Sequence, residues 1–93
     1  MTETVPVSYE VLQVEPVHGS GRLVGLAVVR VELAGVELTL QGVQVRHGPA
    51  GLVVDAPQFR HPRDGRWLPA VVLPPELRDA IGREVLALAG ALA

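Results

Sequence analysis

The stretch from Leu23 to Gln41, LVGLAVVRVELAGVELTLQ, gives the strongest local indication of secondary structure in the sequence. Two apolar segments flank the dipeptide Ala34-Gly35, which is the spacing of a β-hairpin with a tight loop. In the second segment apolar residues alternate with polar ones, and the apolar set is Val36, Leu38 and Leu40. The first segment has a matching apolar set on one side, namely Leu23, Ala27, Val29, Val31 and Leu33. This period of two predicts an antiparallel hairpin with one face against a core and the other in water.

Short apolar runs on both sides of this hairpin predict further strands. The run from Val7 to Val17, VSYEVLQVEPV, alternates weakly but is rich in β-branched residues. Gly42 interrupts the second arm of the hairpin, and a glycine inside a strand pattern predicts a bulge or bend. LVVDA, from Leu52 to Ala56, predicts another strand. In the last run, WLPAVVL from Trp67 to Leu73, Pro69 is expected at an edge or an irregular position because it has no N–H to donate to a ladder.

The final part of the chain predicts a helix from Pro75 to about Ala89. Proline suits the first helical position, Glu76 suits the positive end of the helix dipole, and Gly90 suits the exit. The apolar stripe at helical spacing consists of Leu77, Ile81, Val85 and Leu88. Strands followed by one helix predict an α+β fold: a twisted antiparallel β-sheet of about five strands with one C-terminal amphipathic α-helix packed on it. With 93 residues, the chain is expected to form a single domain, residues 1–93.

The composition limits the class of protein. A hydrophobic fraction of 48% with 19% charged residues is that of a globular protein rather than a disordered one. The chain has no cysteine, which excludes disulfides, thiolate metal sites and a cysteine nucleophile. The first residues, MTETVPVSYE, lack the basic start and apolar run of a signal peptide, and LVGLAVV is too short to span a membrane. We therefore expect no membrane partner and take the cytoplasm as the default location.

No residue pattern in the chain predicts catalysis or a bound metal. The histidines fall in separate turns without ligand spacing, at His18, His47 and His61. Ser8 and Ser20 lack the strand-turn-helix context of a catalytic serine. GSGRLVG, from Gly19 to Gly25, precedes a strand pattern rather than the helix that a phosphate-binding loop requires. We therefore expect no enzyme activity, no cofactor and no metal.

Positive charge is concentrated in one stretch, PQFRHPRDGRWLPAVVLP, from Pro57 to Pro74. Up to Trp67 it has three arginines against Asp64, a balance of +2, whereas the remaining chain has five arginines against nine acids, a balance of -4. Arginine binds phosphate with paired N–H donors, and an aromatic ring can stack on an exposed base. The candidate nucleic-acid-binding residues are Arg60, His61, Arg63, Arg66 and Trp67, with Phe59 as a second aromatic. The residues alone leave an alternative open, a solvated loop whose arginines pair with acids across the sheet and whose tryptophan belongs to the core.

Several motifs follow one another in an order found in a known family. They are an arm ending VQVRHGPAGLVVDAP, a polar loop closing on DGRW, a proline-flanked strand and a final helix. In this order the chain resembles the stage V sporulation protein G (SpoVG) family from about Val7 to Leu88, most tellingly in GLVVDAP, Gly51 to Pro57. The resemblance implies a small bacterial homodimer with a twisted antiparallel sheet and a C-terminal helix, acting as a DNA- and RNA-binding regulator. It also implies nucleic-acid contact by the basic residues after this motif, which correspond here to Arg60, His61 and Arg63.

Two functional hypotheses follow. In the first, the protein is a dimeric regulator whose basic loop binds DNA or RNA by contacting phosphates. In the second, it is a protein-interaction or structural module that assembles with itself or a protein partner without binding nucleic acid. The apolar end of the chain, VLALAGALA, supports the second hypothesis, since a helix end that is apolar all round is expected to be buried in an interface.

Overall fold

The computed structural model describes residues 6–90 and confirms the α+β prediction. The strands are β1 (Val7–Pro16), β2 (Leu23–Leu33), β3 (Val36–Gly48), β4 (Gly51–Asp55), β5 (Gln58–Arg60) and β6 (Trp67–Pro69), and the helix is α1 (Pro75–Gly90). The first four strands form one antiparallel sheet in the order β1-β2-β3-β4, and β5 pairs with β6 in a separate two-stranded sheet. α1 packs against β1, β3 and β4 of the main sheet. Thus the strands expected in one sheet are divided between two.

The central hairpin has the two-residue turn that the sequence predicts. Leu33 lies opposite Val36, so Ala34 and Gly35 form the loop. Both loop residues have positive φ, 50° and 84°, which is typical of a type I′ turn matched to the twist of the strands. Alanine is unfavourable in this left-handed region, so the turn carries a small backbone strain at Ala34.

A bulge at Gly42 keeps the apolar side chains of β3 on the core face. Ala27 lies opposite Val43 and Val29 lies opposite Leu40, so β3 advances by three residues where β2 advances by two. Gly42 has φ 78°, a conformation that glycine adopts without steric penalty. The predicted irregularity is therefore a bulge, and it lets Leu40 and Val43 both enter the core although their spacing breaks strict alternation.

A second bulge explains why β1 alternates only weakly. Val11 lies opposite Val29 and Gln13 lies opposite Val28, which leaves Leu12 as an extra residue on β1. Tyr9 and Val11 pack against the core before this bulge, and Val14 does so after it. The residues that face the core therefore change from odd-numbered to even-numbered positions at Leu12, because the bulge adds one residue to β1.

The core lies between the main sheet and α1. Its buried side chains are Ala27, Val29, Val31, Leu40, Val43, Val45, Ile81 and Val85. Tyr9 ties the two layers together, since its hydroxyl lies 3.4 Å from the carbonyl oxygen of Ala80. The predicted helical stripe is correct except at its end, where Ala89 packs against the core and Leu88 is exposed. Ala89 lies four residues after Val85 and therefore follows the i, i+4 line of the stripe more closely.

α1 covers only part of the sheet. A helix of 16 residues is about 24 Å long, whereas 13 residues of β3 extend about 43 Å. Near the β2–β3 turn, Val7, Val36 and Leu38 have the orientation of core residues but are 46%, 61% and 46% exposed. The predicted orientation of Val36 and Leu38 is correct, but their predicted burial is wrong, since α1 is shorter than β3 and this end of the sheet remains exposed. We call these three residues the open sheet end.

Candidate functional site

The basic stretch forms a hairpin separate from the main sheet, which we call the arm (residues 57–70). β5 and β6 contact each other and have few contacts with the rest of the fold. The backbone N–H of Ala70 donates to the carbonyl of Pro57 at 2.7 Å and closes the base of the arm. The radius of gyration is 14.3 Å, whereas a compact chain of this length has about 12 Å. The chain is therefore more extended than a compact domain of its length, with principal extents of 49 × 39 × 23 Å.

The loop at the end of the arm is held by its own hydrogen bonds. We call it the tip loop (residues 61–66). His61 N–H donates to Arg66 O at 2.8 Å, and Gly65 N–H donates to His61 O at 3.0 Å. Two side chains accept further backbone bonds: His61 Nδ1 from the N–H of Arg63 at 3.1 Å, and Asp64 Oδ1 from the N–H of Arg66 at 2.9 Å. The loop is therefore ordered before any ligand binds, which lowers the entropic cost of binding.

Arg60 lies against Gly65. A Cβ placed on Gly65 would be 3.2 Å from one terminal guanidinium nitrogen of Arg60 and 3.4 Å from its Nε. Gly65 also has φ 73°, which disfavours a larger residue there. The pair Asp64-Gly65 predicts a turn. In the structure, the guanidinium group of Arg60 packs against Gly65 of this turn.

Among the described residues, most arginines outside the arm form an ion pair, whereas only one of the three arginines on the arm does so. Outside the arm, ion pairs link Arg30 with Glu10 at 2.9 Å, Arg46 with Asp55, and Arg78 with Asp79 at 3.3 Å. Within residues 6–90, neither Arg60 nor Arg63 has an acidic group within ion-pair distance. Arg66 pairs with Asp64 at 3.0 Å through Nε, while its side chain remains 70% exposed. Among residues 6–90, therefore, none of the three arginines pairs with an acid across the sheet.

The aromatic residues of the arm face opposite directions. Arg60 lies directly opposite Trp67 in the β5–β6 ladder, and Phe59 lies opposite Leu68. Because neighbouring residues on a strand point to opposite faces, Trp67 shares its face with Arg60 and Phe59 is on the other. Trp67 is 63% exposed and Phe59 is 45% exposed. The alternative that Trp67 belongs to the core is therefore wrong.

The five sequence-predicted site residues all lie on the arm but not in one pocket. A shallow concavity at the tip is lined by Arg60, His61, Pro62, Arg63, Asp64 and Gly65. Arg66 lies beyond it, held by Asp64, and Trp67 lies beside Arg60 on the ladder. Asp64 and Gly65 also line the site, although they are not among the five residues predicted from the sequence. The sequence feature that could have indicated them is the Asp-Gly turn signature.

A second concavity lies at the far end of the helix. It is mainly apolar, and its lining includes Val14, Val24, Leu52 and Ala89 with His18 and His47. Among the described residues no three histidine, aspartate or glutamate side chains are close enough together to hold a metal ion. This cleft therefore brings together two histidines that the sequence separates, but adds no acidic group beyond Glu15. In the part of the chain that the structure covers, no helix combines the length and the apolar character needed to cross a membrane.

Comparisons with known proteins found no relative of this chain. No family model matches the chain. No curated protein and no solved structure matches it significantly either.

Proposed function

We propose that the protein is a dimeric bacterial regulator of the SpoVG type, which binds DNA or RNA through the arm. The observation that carries this proposal is that Arg60, at the end of β5, and Arg63, in the tip loop, have no acidic partners among residues 6–90. Their guanidinium groups are consequently free to bind phosphate oxygens, for which the planar fork of arginine is well suited. We assign the protein to the cytoplasm, where such a regulator acts.

The attraction of the protein for a phosphate chain depends on where its charges lie rather than on their sum. The chain has a net charge of -2, but the arm has +2. A phosphate chain contacting the tip would be attracted locally, and contact with the rest of the protein would be disfavoured over about one Debye length, roughly 10 Å at 0.1 M salt. His61, Arg66 and Trp67 supply additional contacts next to Arg60 and Arg63. Such binding weakens steeply as salt increases, because each neutralised phosphate releases counterions.

The proposed dimer would use the open sheet end. Val7, Val36 and Leu38 form an apolar surface continuous with the core, which is the kind of surface that a second subunit covers. Two arms in one dimer would then bind one nucleic acid with higher avidity than a single arm.

The test of nucleic-acid binding is fluorescence anisotropy with labelled DNA and RNA, as duplexes and as single strands, over a range of salt concentrations. The arm variant is Arg60→Ala/Arg63→Ala/Arg66→Ala. Its charge-matched control is Arg22→Ala/Arg78→Ala/Arg83→Ala, which removes three exposed arginines outside the arm. We expect salt-sensitive binding by the wild type and by the control, and loss of binding by the arm variant.

Two results would contradict the proposal. Absence of wild-type binding at low salt would overturn nucleic-acid binding for the probes used. Equal loss of affinity in both triple variants would show a response to net charge, and would overturn the assignment of the site to the arm. Circular dichroism of each variant verifies that the fold is retained.

A second candidate function is a protein-interaction or structural module, and the exposure of Leu88 favours it. Leu88 is 43% exposed near the end of α1, and the open sheet end adds apolar surface elsewhere. Residues 91–93 of the apolar tail lie outside the described residues. Sedimentation velocity of Leu88→Ser and Leu38→Ser variants tests this candidate. Loss of assembly in Leu88→Ser, in a protein that binds no nucleic acid, is the result that this function predicts, whereas unchanged assembly in both variants would contradict it.

A further inference from the structure

We infer that the arm binds unpaired nucleotides in preference to a duplex, with one base stacked on Trp67 while the arginines hold the flanking phosphates. This inference rests on the proposed function and narrows its ligand to single-stranded DNA or RNA. Three features support it: the exposure of Trp67, its position beside Arg60, and the charge of the protein around the arm.

Trp67 is the most exposed aromatic side chain among the described residues, at 63%. Its position at the start of β6 leaves it beside the tip loop rather than under the helix. An exposed indole offers a flat apolar surface, and stacking on such a surface accepts any base because every base has a π-face. A base inside a duplex is already stacked on both sides, so it is not available for this contact.

The pairing of Trp67 with Arg60 brings a stacking surface and a phosphate ligand together. Residues directly opposite in an antiparallel ladder have Cβ atoms about 5 Å apart, so the two side chains are neighbours on one face of the arm. Gly65 supports the guanidinium of Arg60 from the loop side. A nucleotide whose base contacts Trp67 would therefore have its phosphate within reach of Arg60, and Arg63 lies farther along the tip loop for the next phosphate.

The surroundings of the arm disfavour a rigid duplex. Each strand of the arm has three residues, or about 10 Å, so its tip stands only a short distance from the main sheet. Outside the arm's basic stretch the chain has nine acids and five arginines. A duplex is stiff over about 150 base pairs and has one negative charge for about every 1.7 Å of its axis, so it cannot bend to keep its phosphates on the short arm. A flexible single strand can follow the basic surface alone.

The experiment compares an unstructured strand with a duplex on the same protein. The probes are labelled oligothymidylate and oligouridylate of about 15 nucleotides, roughly the upper site size of a single-strand-binding fold, and the matching dA·dT duplex, measured by anisotropy at fixed low salt. Trp67 is the only tryptophan in the chain, so its intrinsic emission reports stacking at this position without a label on the protein. The variants are Trp67→Ala, Trp67→Phe and the control Phe59→Ala, which removes an exposed aromatic from the opposite face of the arm.

We expect the single strands to bind about tenfold more tightly than the duplex and to quench the tryptophan emission. Trp67→Ala should weaken single-strand binding about tenfold or more, the size of effect found for one stacked base, and should change duplex binding little. Trp67→Phe should retain most of the affinity, and Phe59→Ala should behave as the wild type.

The results distinguish failure of this inference from failure of the proposed function. Equal or tighter binding of the duplex, without quenching and without an effect of Trp67→Ala, would overturn single-strand preference while leaving nucleic-acid binding in place. Absence of binding to every probe would overturn the proposed function and this inference with it. Loss of single-strand affinity in Phe59→Ala as large as in Trp67→Ala would also overturn it, because stacking would not be confined to the Trp67 face.

Discussion

Asp64 accepts two hydrogen bonds from Arg66, through Oδ1 from the backbone N–H at 2.9 Å and through Oδ2 from Nε at 3.0 Å. Its Oδ1 also lies 3.6 Å from His61 Nδ1. Asp64 is the single acid of the arm, so one carboxylate both shapes the tip loop and removes a unit of its positive charge. Asp64 therefore stabilises the tip loop but weakens its attraction for an anionic ligand.

Asp64→Asn should separate these two effects. The amide oxygen of the new side chain can still accept the backbone bond of Arg66, whereas the arm gains one unit of positive charge and Arg66 becomes free for a phosphate. We expect tighter nucleic-acid binding and a salt dependence that is steeper by about 0.7 for a single strand. Anisotropy over a salt series measures both. Asp79→Asn, which frees Arg78 on the helix, is the matched control, and an equal gain in that variant would show that only net charge matters.

Gly65→Ala should weaken binding by displacing Arg60. The new methyl group would lie 3.2 Å from the guanidinium, and the positive φ of 73° adds strain of about 1–2 kcal/mol for a residue with a side chain. The control is Gly19→Ala, which has a similar φ of 74° with open space around it. We expect both variants to lose similar stability in urea unfolding and only Gly65→Ala to lose affinity for nucleic acid. An unchanged affinity would mean that the support of Arg60 by Gly65 is dispensable.

Two glycine-to-alanine substitutions in the body should have opposite signs. At Gly82 a Cβ would lie 3.8 Å from Cβ of Val54, an ordinary contact, so alanine should stabilise α1 by up to about 1 kcal/mol. At Gly25 a Cβ would lie 3.0 Å from the carbonyl oxygen of Glu15, and alanine there should destabilise by about 1–3 kcal/mol. Urea unfolding midpoints at one protein concentration test both. Destabilisation by Gly82→Ala would show that the helix lies closer to β4 than its geometry indicates.

Ala34→Asn should stabilise the central hairpin. Ala34 has φ 50°, and asparagine followed by glycine is the preferred pair for a type I′ turn. The expected gain is about 0.5–1 kcal/mol, because asparagine tolerates the left-handed conformation that is unfavourable for alanine. Ala50→Asn is the control, since Ala50 lies in the two-residue β3–β4 loop and has no positive φ. An equal gain from both substitutions would assign the effect to loop polarity rather than to φ.

Glu37→Arg should stabilise the protein through the same hairpin. Glu32 and Glu37 lie directly opposite in the β2–β3 ladder, and like charges in this position destabilise a sheet. Reversing one charge should increase stability by about 0.2–1 kcal/mol at low salt, and Glu37→Gln should give a smaller gain. Both gains should decrease at about 1 M salt, where charges are screened within about 3 Å. A gain that does not depend on salt would exclude the electrostatic explanation.

Much of the fold could be predicted because it depends on local patterns. The alternation through Val36, Leu38 and Leu40 placed them on one face, and the helical spacing of Ile81 and Val85 placed both in the core. The extent of burial could not be predicted in the same way. Val36 and Leu38 have the same pattern as Leu40, and only the position of α1 makes them exposed.

The candidate site was predictable in position but not in geometry. The arginines and the aromatics of the arm were identified from the sequence as one basic stretch, and the turn at Asp64-Gly65 was recognisable. The contact of Arg60 with Gly65 depends on the path of the tip loop. Whether Trp67 was buried or exposed depended on whether β6 joined the main sheet, which composition does not determine.

Local sequence patterns were sufficient to predict the hairpin turn at Ala34-Gly35, the irregularity at Gly42 and the helix beginning at Pro75. These follow from φ preferences and from residue spacing, which act over a few neighbours. The local patterns did not predict β5, and β6 ends at Pro69 rather than continuing to Leu73. Three features arise only from long-range packing: the pairing of Arg46 with Asp55, the separation of the arm from the main sheet and the exposure of Trp67. Each of these depends on strand register and on where a 16-residue helix rests across a longer sheet, and such long-range arrangements are set by packing of the whole chain.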